Sequence, residues 1–300
     1  MKSLISGATG YLGASLTRHL ASIGDEVHAV VRRSSDTSAL NDIAVACVWD
    51  GSPDSLDSIV SQVKPDRVFH LAADQSTDSS ASSVERLVSA NILLGTHLAR
   101  ACSAVGVRAF VSAATHWQYG RGAQYSPTTL YAATKQAFAD ILAYFVLHEG
   151  LPALSLELPN TYGPDDPRRK LLTILCDAMA SGRIVGLTPG DQVLDLVHVD
   201  DVAKGFVAAA ELVESDVSHQ GKTYALHSDD PTTLKALIPL LEAAFERTAP
   251  VKLGALQYRD TEIMGPTQTP RLPNWAPKVS LRQGIEQLAA SAARSDYLEG

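Results

Sequence analysis

Three glycines spaced as Gly7-x-x-Gly10-x-x-Gly13 follow the apolar run Lys2–Ser6 and open an amphipathic stretch, and this arrangement restricts the fold more than any other feature of the chain. A strand that bends sharply into a helix needs glycine at the bend, where a side chain is sterically excluded. The same turn exposes backbone N–H groups at the start of the helix, where the helix dipole favours negative charge, so it is suited to a pyrophosphate. Gly7 serves the turn, Gly10 the approach of the phosphates and Gly13 the packing of helix on strand. Thr9, Tyr11 and Leu12 fill the turn between them and belong to the same expected cofactor site.

Beyond this turn the chain alternates short apolar runs with amphipathic stretches. The pattern predicts strands at Lys2–Ser6, Glu26–Val31, Ala44–Trp49, Arg67–Leu71, Arg108–Ser112 and Ala153–Leu158. Helices are predicted at Tyr11–Ile23, Ser55–Val63, Ser83–Ala104 and Leu130–His148. The expected fold class is α/β, a doubly wound parallel sheet of the Rossmann kind with a smaller C-terminal substrate-binding lobe. Residues 1–160 are expected to form the cofactor-binding domain, with about 193–215 returning to it, and 161–300 mostly the substrate lobe, because prolines and polar turns become dense after Pro159.

Binders of NAD usually carry an acidic residue about twenty residues past the glycine turn, at the end of the second strand. Here that place reads Arg32-Arg33-Ser34-Ser35. Guanidinium groups grip a 2′-phosphate that a carboxylate repels, so NADP(H) is favoured over NAD(H). Asp50-Gly51 closes the third strand and reads either as a contact to the adenine edge or as a plain turn.

At the start of the long helix near 130, Tyr131 and Lys135 stand four residues apart and share a face. A phenol with a pKa of about 10 needs a nearby cation to act as a base at neutral pH, and Lys135 is placed to supply one. Thr115, just past the fifth strand, can polarise a substrate oxygen or satisfy its own backbone.

The remaining composition excludes several functions. A net charge of −8 from charges mixed along the chain offers no basic stripe for nucleic acid. No run of about 18 apolar residues suits a membrane span, and the N-terminus has no export signal, so a cytoplasmic address is expected. Cys47, Cys102 and Cys176 lack the spacing of a disulfide framework or zinc site, and no metal is expected.

These pieces together resemble the extended short-chain dehydrogenase/reductases, the NAD-dependent epimerase/dehydratase family. Further matches are His70-Leu-Ala-Ala73, Asn91 with Gly95-Thr96, Asn160-Thr-Tyr-Gly-Pro164, Leu196-Val-His-Val-Asp-Asp201-Val and Trp275-Ala-Pro-Lys-Val-Ser-Leu-Arg-Gln-Gly284. The resemblance implies that Tyr131 is the acid/base, that Lys135 holds the nicotinamide ribose and lowers the tyrosine pKa, and that Thr115 replaces a serine. It places Leu71, Ala72, Ala73, Asn91, Ser112 and Pro159 along the cofactor and Asn160 beside both cofactor and sugar. It also implies a homodimer through the helices near 83–104 and 130–148.

Departures from the family pattern narrow the reaction. The Asp-Glu pair of the dehydratases is replaced by His116-Trp117, which removes their proton shuttle. The arginine that often precedes Asp195 to hold a substrate diphosphate is Leu194, so Arg168, Arg169, Arg259 and Arg271 are candidate replacements. The expected substrate site comprises Asp74, Thr115, His116, Trp117, Asn160, Arg168 and Arg259. The nearest resemblance is to nucleotide-sugar 4-ketoreductases, which implies NADPH-dependent reduction of a 4-keto group on a CDP- or dTDP-linked 6-deoxy sugar. A 4-epimerase with retained NAD(P) and a non-catalytic cofactor-sensing regulator are the alternatives, and His198 is left unassigned.

Overall fold

The computed structural model describes residues 1–40, 42–120 and 125–298. Strands β1 (Lys2–Ser6), β2 (Glu26–Arg32), β3 (Val45–Trp49), β4 (Arg67–His70), β5 (Ala109–Thr115) and β6 (Ala153–Leu158) form a parallel sheet, joined at one edge by Thr223–Ala225. Numbering that edge segment β11, after β7 (Asn160–Tyr162), β8 (Val185–Gly186), β9 (Val193–Leu194) and β10 (Leu196–His198), gives the seven-stranded order β11-β6-β5-β4-β1-β2-β3. The order reverses direction between β1 and β4. A crevice opens there beyond the carboxyl ends of the strands, the place where doubly wound sheets hold ligands.

Central strands of such a sheet are covered on both faces and therefore read as continuous apolar runs; β5 is buried at every position. One face is closed by α1 (Tyr11–Ser22) and by a helix from late in the chain, Val199–Ser215, which packs Phe206, Val202 and Val213 with Leu16 and Leu20. The other face is closed by α2 (Pro53–Val63), by α3 (Ala81–Val88) running on into α4 (Leu94–Val105), and by α5 (Leu130–Glu149), around Leu56, Leu98, Phe110 and Phe138. A third cluster lies outside the sheet, where α6 (Leu171–Ser181), Leu234–Phe245 and Leu281–Leu298 bring Leu175, Leu237, Leu241 and Ile285 together. In chain order the later helices are α7 (Val199–Ser215), α8 (Leu234–Phe245) and α9 (Leu281–Leu298), and the short strands end with β12 (Thr232–Thr233) and β13 (Val251–Lys252). Arg67 at the foot of β4 is fixed to Glu214 of α7 by two hydrogen bonds of 2.9 and 2.7 Å, a bidentate pair that ties helix to sheet.

The predicted elements are present, with instructive shifts. Helix α2 starts at Pro53 because Ser52 caps it, accepting from the Ser55 N–H at 3.1 Å. Strand β5 runs on to Thr115, past the predicted Ser112, since Ala113–Thr115 keep pairing with β6. The single helix predicted at Ser83–Ala104 is broken by a π turn over Ser89–Leu93, whose centre is the buried Asn91. The seventh strand, β11, falls in sequence where a separate lobe was expected. No helix among the described residues is long and apolar enough to cross a membrane.

Candidate functional site

The crevice at the β1/β4 crossover is a cleft of about 750 Å³ running from the glycine turn to the α6–α9 cluster. Its floor is set by backbone contact alone. A Cβ on Gly13 would lie 2.0 Å from the Gly7 carbonyl oxygen, and one on Gly7, at φ +81°, 2.6 Å from the Ala72 nitrogen. The turn closes with Gly10 N–H donating to the Gly7 carbonyl at 3.0 Å, and no side chain caps α1, so its first N–H groups are open to an anion. Arg168 stacks on the Tyr11 ring at 4.7 Å while its guanidinium holds Asp166 at 2.7 and 2.8 Å and the Thr161 carbonyl at 3.1 Å. This fastens the loop after β7 over the glycine turn.

At the other end, Thr115 closes β5 and Tyr131 and Lys135 face it from the first turns of α5, a helix capped by Thr129 through the Ala132 N–H at 3.2 Å. All three line the cleft yet are almost fully enclosed, at 6%, 8% and 2% exposure. Burial pushes the Tyr131 phenol up to about 12, against the opposing effects of its hydrogen bond to Thr115 and of the Arg168 charge. The tyrosine is a neutral phenol at neutral pH, as an unperturbed one is, and a weaker acid than usual. Contrary to the expectation that Lys135 lowers this pKa, burial raises it and Arg168 is the cation that acts on the phenol.

The Lys135 Nζ has no hydrogen-bond partner among the described residues, and burial brings its pKa down to about 8. Beneath it His70, whose Nδ1 lies 2.7 Å from the Ser6 Oγ, is kept neutral by burial and by the Lys135 charge, at about 3. An orphaned ammonium at the end of a glycine-turn cleft fits the ribose hydroxyls of a dinucleotide, and together with the Gly7–Gly13 cradle it fits a nicotinamide cofactor. The displacement of Lys135 from the usual 10.5 to about 8 costs about 3 kcal/mol of folding stability at neutral pH. Because the unfolded chain keeps this proton where the folded one loses it, the cost is full below pH 8 and disappears as the pH rises towards 10.5. Lys135→Met is accordingly expected to stabilise the cofactor-free protein at pH 7, an effect shrinking by pH 10, as read by urea unfolding at both values.

Most predicted site residues meet in this cleft: Gly7, Thr9, Gly10, Tyr11, Leu12, Gly13, Arg32, Leu71, Ala72, Ala73, Asp74, Thr115, His116, Trp117, Tyr131, Lys135, Pro159, Asn160 and Arg168. Others do not reach it. Arg33 lies outside the wall that Arg32 joins. Asp50 accepts from the Ser52 N–H at 2.8 Å and holds its own turn with Gly51, which is the plain-turn reading. Ser112 is buried in the sheet. Asn91 is enclosed behind the cofactor loop, clamping Asp74 through N–H···Oδ1 at 2.8 Å and Nδ2–H···O at 3.0 Å and donating to Thr134 at 2.9 Å, so it positions the loop and α5. Arg259 is exposed beside Glu262 at 3.2 Å, away from the cleft.

Sequence reading missed Ser35, Trp49, Arg86, Lys170 and the leucines at 171, 172, 196 and 288 on the cleft wall, while Leu194, noted as standing where a substrate-binding arginine is usual, also lines it. Lys170 ends the Arg168-Arg169-Lys170 run and lies 5.4 Å from the Trp117 ring centre. That run was a legible signal; the leucines, from three separate segments, gave none. Among the described residues no three His, Cys, Asp or Glu side chains are grouped to hold a metal ion.

The model of the NAD dependent epimerase/dehydratase family matches residues 3–225. The chain belongs to that family. It is an NAD(P)-dependent extended short-chain dehydrogenase/reductase, an enzyme of the oxidoreductase type. Among its relatives is the CDP-abequose synthase of Yersinia pseudotuberculosis, 25% identical over 270 residues, covering 89% of this chain and 92% of the relative. Among solved structures, the UDP-glucuronic acid 4-epimerase of Bacillus cereus in complex with UDP-glucuronic acid and NAD superposes with a TM-score of 0.84 at 21% identity, covering 98% of this chain and 100% of that one. The UDP-glucose 4-epimerase of Thermotoga maritima gives 0.82 at 23%, covering 98% and 99%. At these identities the structural likeness establishes the fold of this family member.

Proposed function

We propose that this enzyme reduces a 4-keto group on a CDP- or dTDP-linked 6-deoxy sugar at the expense of NADPH. The observation that carries the reading is that His116-Trp117, standing where a dehydratase has its Asp-Glu pair, line the cleft beside Thr115 and Tyr131. A neutral phenol suits the reductive direction, in which a proton must be given to the carbonyl oxygen as a hydride reaches its carbon. The name of the CDP-abequose synthase relative supports a nucleotide-linked sugar. Arg32 at the cleft rim supports NADPH.

In this reading NADPH supplies the hydride from C4 of its nicotinamide. Thr115 orients the ketone oxygen, Tyr131 protonates it, Lys135 holds the nicotinamide ribose, and the Arg168 charge stabilises the phenolate left behind. Residues 1–160 with 193–215 carry the cofactor, and the rest of 161–300 shapes the substrate end, in a cytoplasmic protein. The deciding assay mixes purified protein and NADPH with CDP- and dTDP-4-keto-6-deoxyhexoses and follows loss of nicotinamide absorbance and a two-hydrogen mass gain of the sugar nucleotide. Conversion of one of them is expected; no reduction of either, together with 4-epimerisation of a 4-hydroxy nucleotide sugar without net NADPH use, would replace the proposal with an epimerase.

We infer a homodimer as part of the same reading. Val84, Val88 and Leu93 on the α3–α4 segment and Tyr144 and Leu147 on α5 are exposed, and the two segments pack side by side. Apolar surface of this kind is what helix-pair interfaces bury. Val88→Asp with Leu147→Asp is expected to shift the sedimentation coefficient from dimer to monomer; an unchanged value places the contact elsewhere.

A further inference from the structure

Among the described residues His116 is the one imidazole on the cleft wall, and its surroundings fix which of its nitrogens carries the proton. Nδ1 lies 3.0 Å from the Leu158 carbonyl oxygen, an atom that can only accept, so Nδ1 is the protonated nitrogen. Nε2 has no partner among the described residues and is not one of the sealed, unpaired atoms of the interior. Being part of a cleft-lining side chain, it is open to the cleft as a bare acceptor. A second proton on the ring is disfavoured by burial and by the Lys170 charge, although Glu157 and Asp195 pull the other way. The ring therefore offers substrate a lone pair and no donor.

Thr115 and His116 both line the cleft, and the His116 and Tyr131 rings flank the Trp117 ring at 6.3 and 6.2 Å, at the same end of the cleft. Resting on the ketoreductase reading, in which Thr115 and Tyr131 hold the C4 oxygen, we propose that His116 is a specificity-determining residue that accepts a hydrogen bond from the hydroxyl on the neighbouring carbon, C3 of the hexose. A group able only to accept selects for a donor at that position and is left unpaired by a substrate without one, which is a strong basis for discrimination.

The test compares kcat/KM for a nucleotide-linked 4-keto-6-deoxyhexose bearing the C3 hydroxyl with that for its 3-deoxy counterpart. Wild type is expected to favour the hydroxylated sugar about ten-fold or more. His116→Phe should bring the ratio to within about two-fold, and His116→Gln, which keeps an acceptor at similar reach, should restore part of it; a general structural defect lowers both substrates and leaves the ratio alone. A wild-type preference for the 3-deoxy sugar, or a ratio unchanged in His116→Phe, overturns the proposal. Should neither sugar be reduced, the ketoreductase reading fails, and 15N imidazole shifts judge His116 separately: a proton on Nδ1 at pH 7 supports the acceptor role, and one on Nε2 overturns it.

Discussion

Replacing Tyr131 by phenylalanine is expected to lower kcat for ketone reduction by about 10²- to 10⁴-fold, the range that a positioned general acid contributes. At 1.36 kcal/mol per decade this is about 3–5 kcal/mol of transition-state stabilisation. The change removes one oxygen from a side chain that is 8% exposed and whose ring meets Trp117 edge to face at 6.2 Å, so the packing that holds the ring survives. NADPH affinity should stay within a few-fold, because the glycine turn, Arg32 and Lys135 are untouched. Single-turnover rates at saturating NADPH, with the dissociation constant measured beside them, separate the two effects. A variant that keeps more than about a tenth of the rate would move the acid to another group on the cleft wall.

Arg32→Ala is expected to weaken NADPH binding about 10- to 150-fold and NADH binding less than about three-fold, the size of a charge-assisted contact of about 1.5–3 kcal/mol to a phosphate that only NADPH carries. Arg33→Ala should change neither by more than about three-fold. The asymmetry follows from strand geometry. Arg32 is the last residue of β2, its N–H donates to the Ser35 Oγ at 3.1 Å, and its side chain joins the cleft wall; Arg33, one residue on, does not. Consecutive residues leaving a strand point to opposite sides, so two adjacent arginines do not share one ligand by default. Fluorescence titrations at fixed, moderate salt check the pair, since screening weakens both contacts. Equal losses for NADH and NADPH in Arg32→Ala would assign the arginine to the adenosine and remove the argument for NADPH.

What the chain declares without its tertiary structure is whatever depends on neighbours in sequence. The glycine spacing implies a tight strand-to-helix turn because the clash that excludes a Cβ at Gly13 comes from Gly7, six residues away. Apolar periodicity implies the sheet and its helices, and a four-residue step places Tyr131 and Lys135 on one face of α5. Quantities set by distant segments were beyond that reach. Asn91 matched a cofactor motif, yet a π turn and the position of Asp74 direct it to a loop clamp. The substrate wall is assembled from leucines of α6, β9, β10 and α9, separated by more than a hundred residues of chain and united only by packing. The raised pKa of Tyr131 is a property of burial, which the whole fold decides and no local spacing reveals.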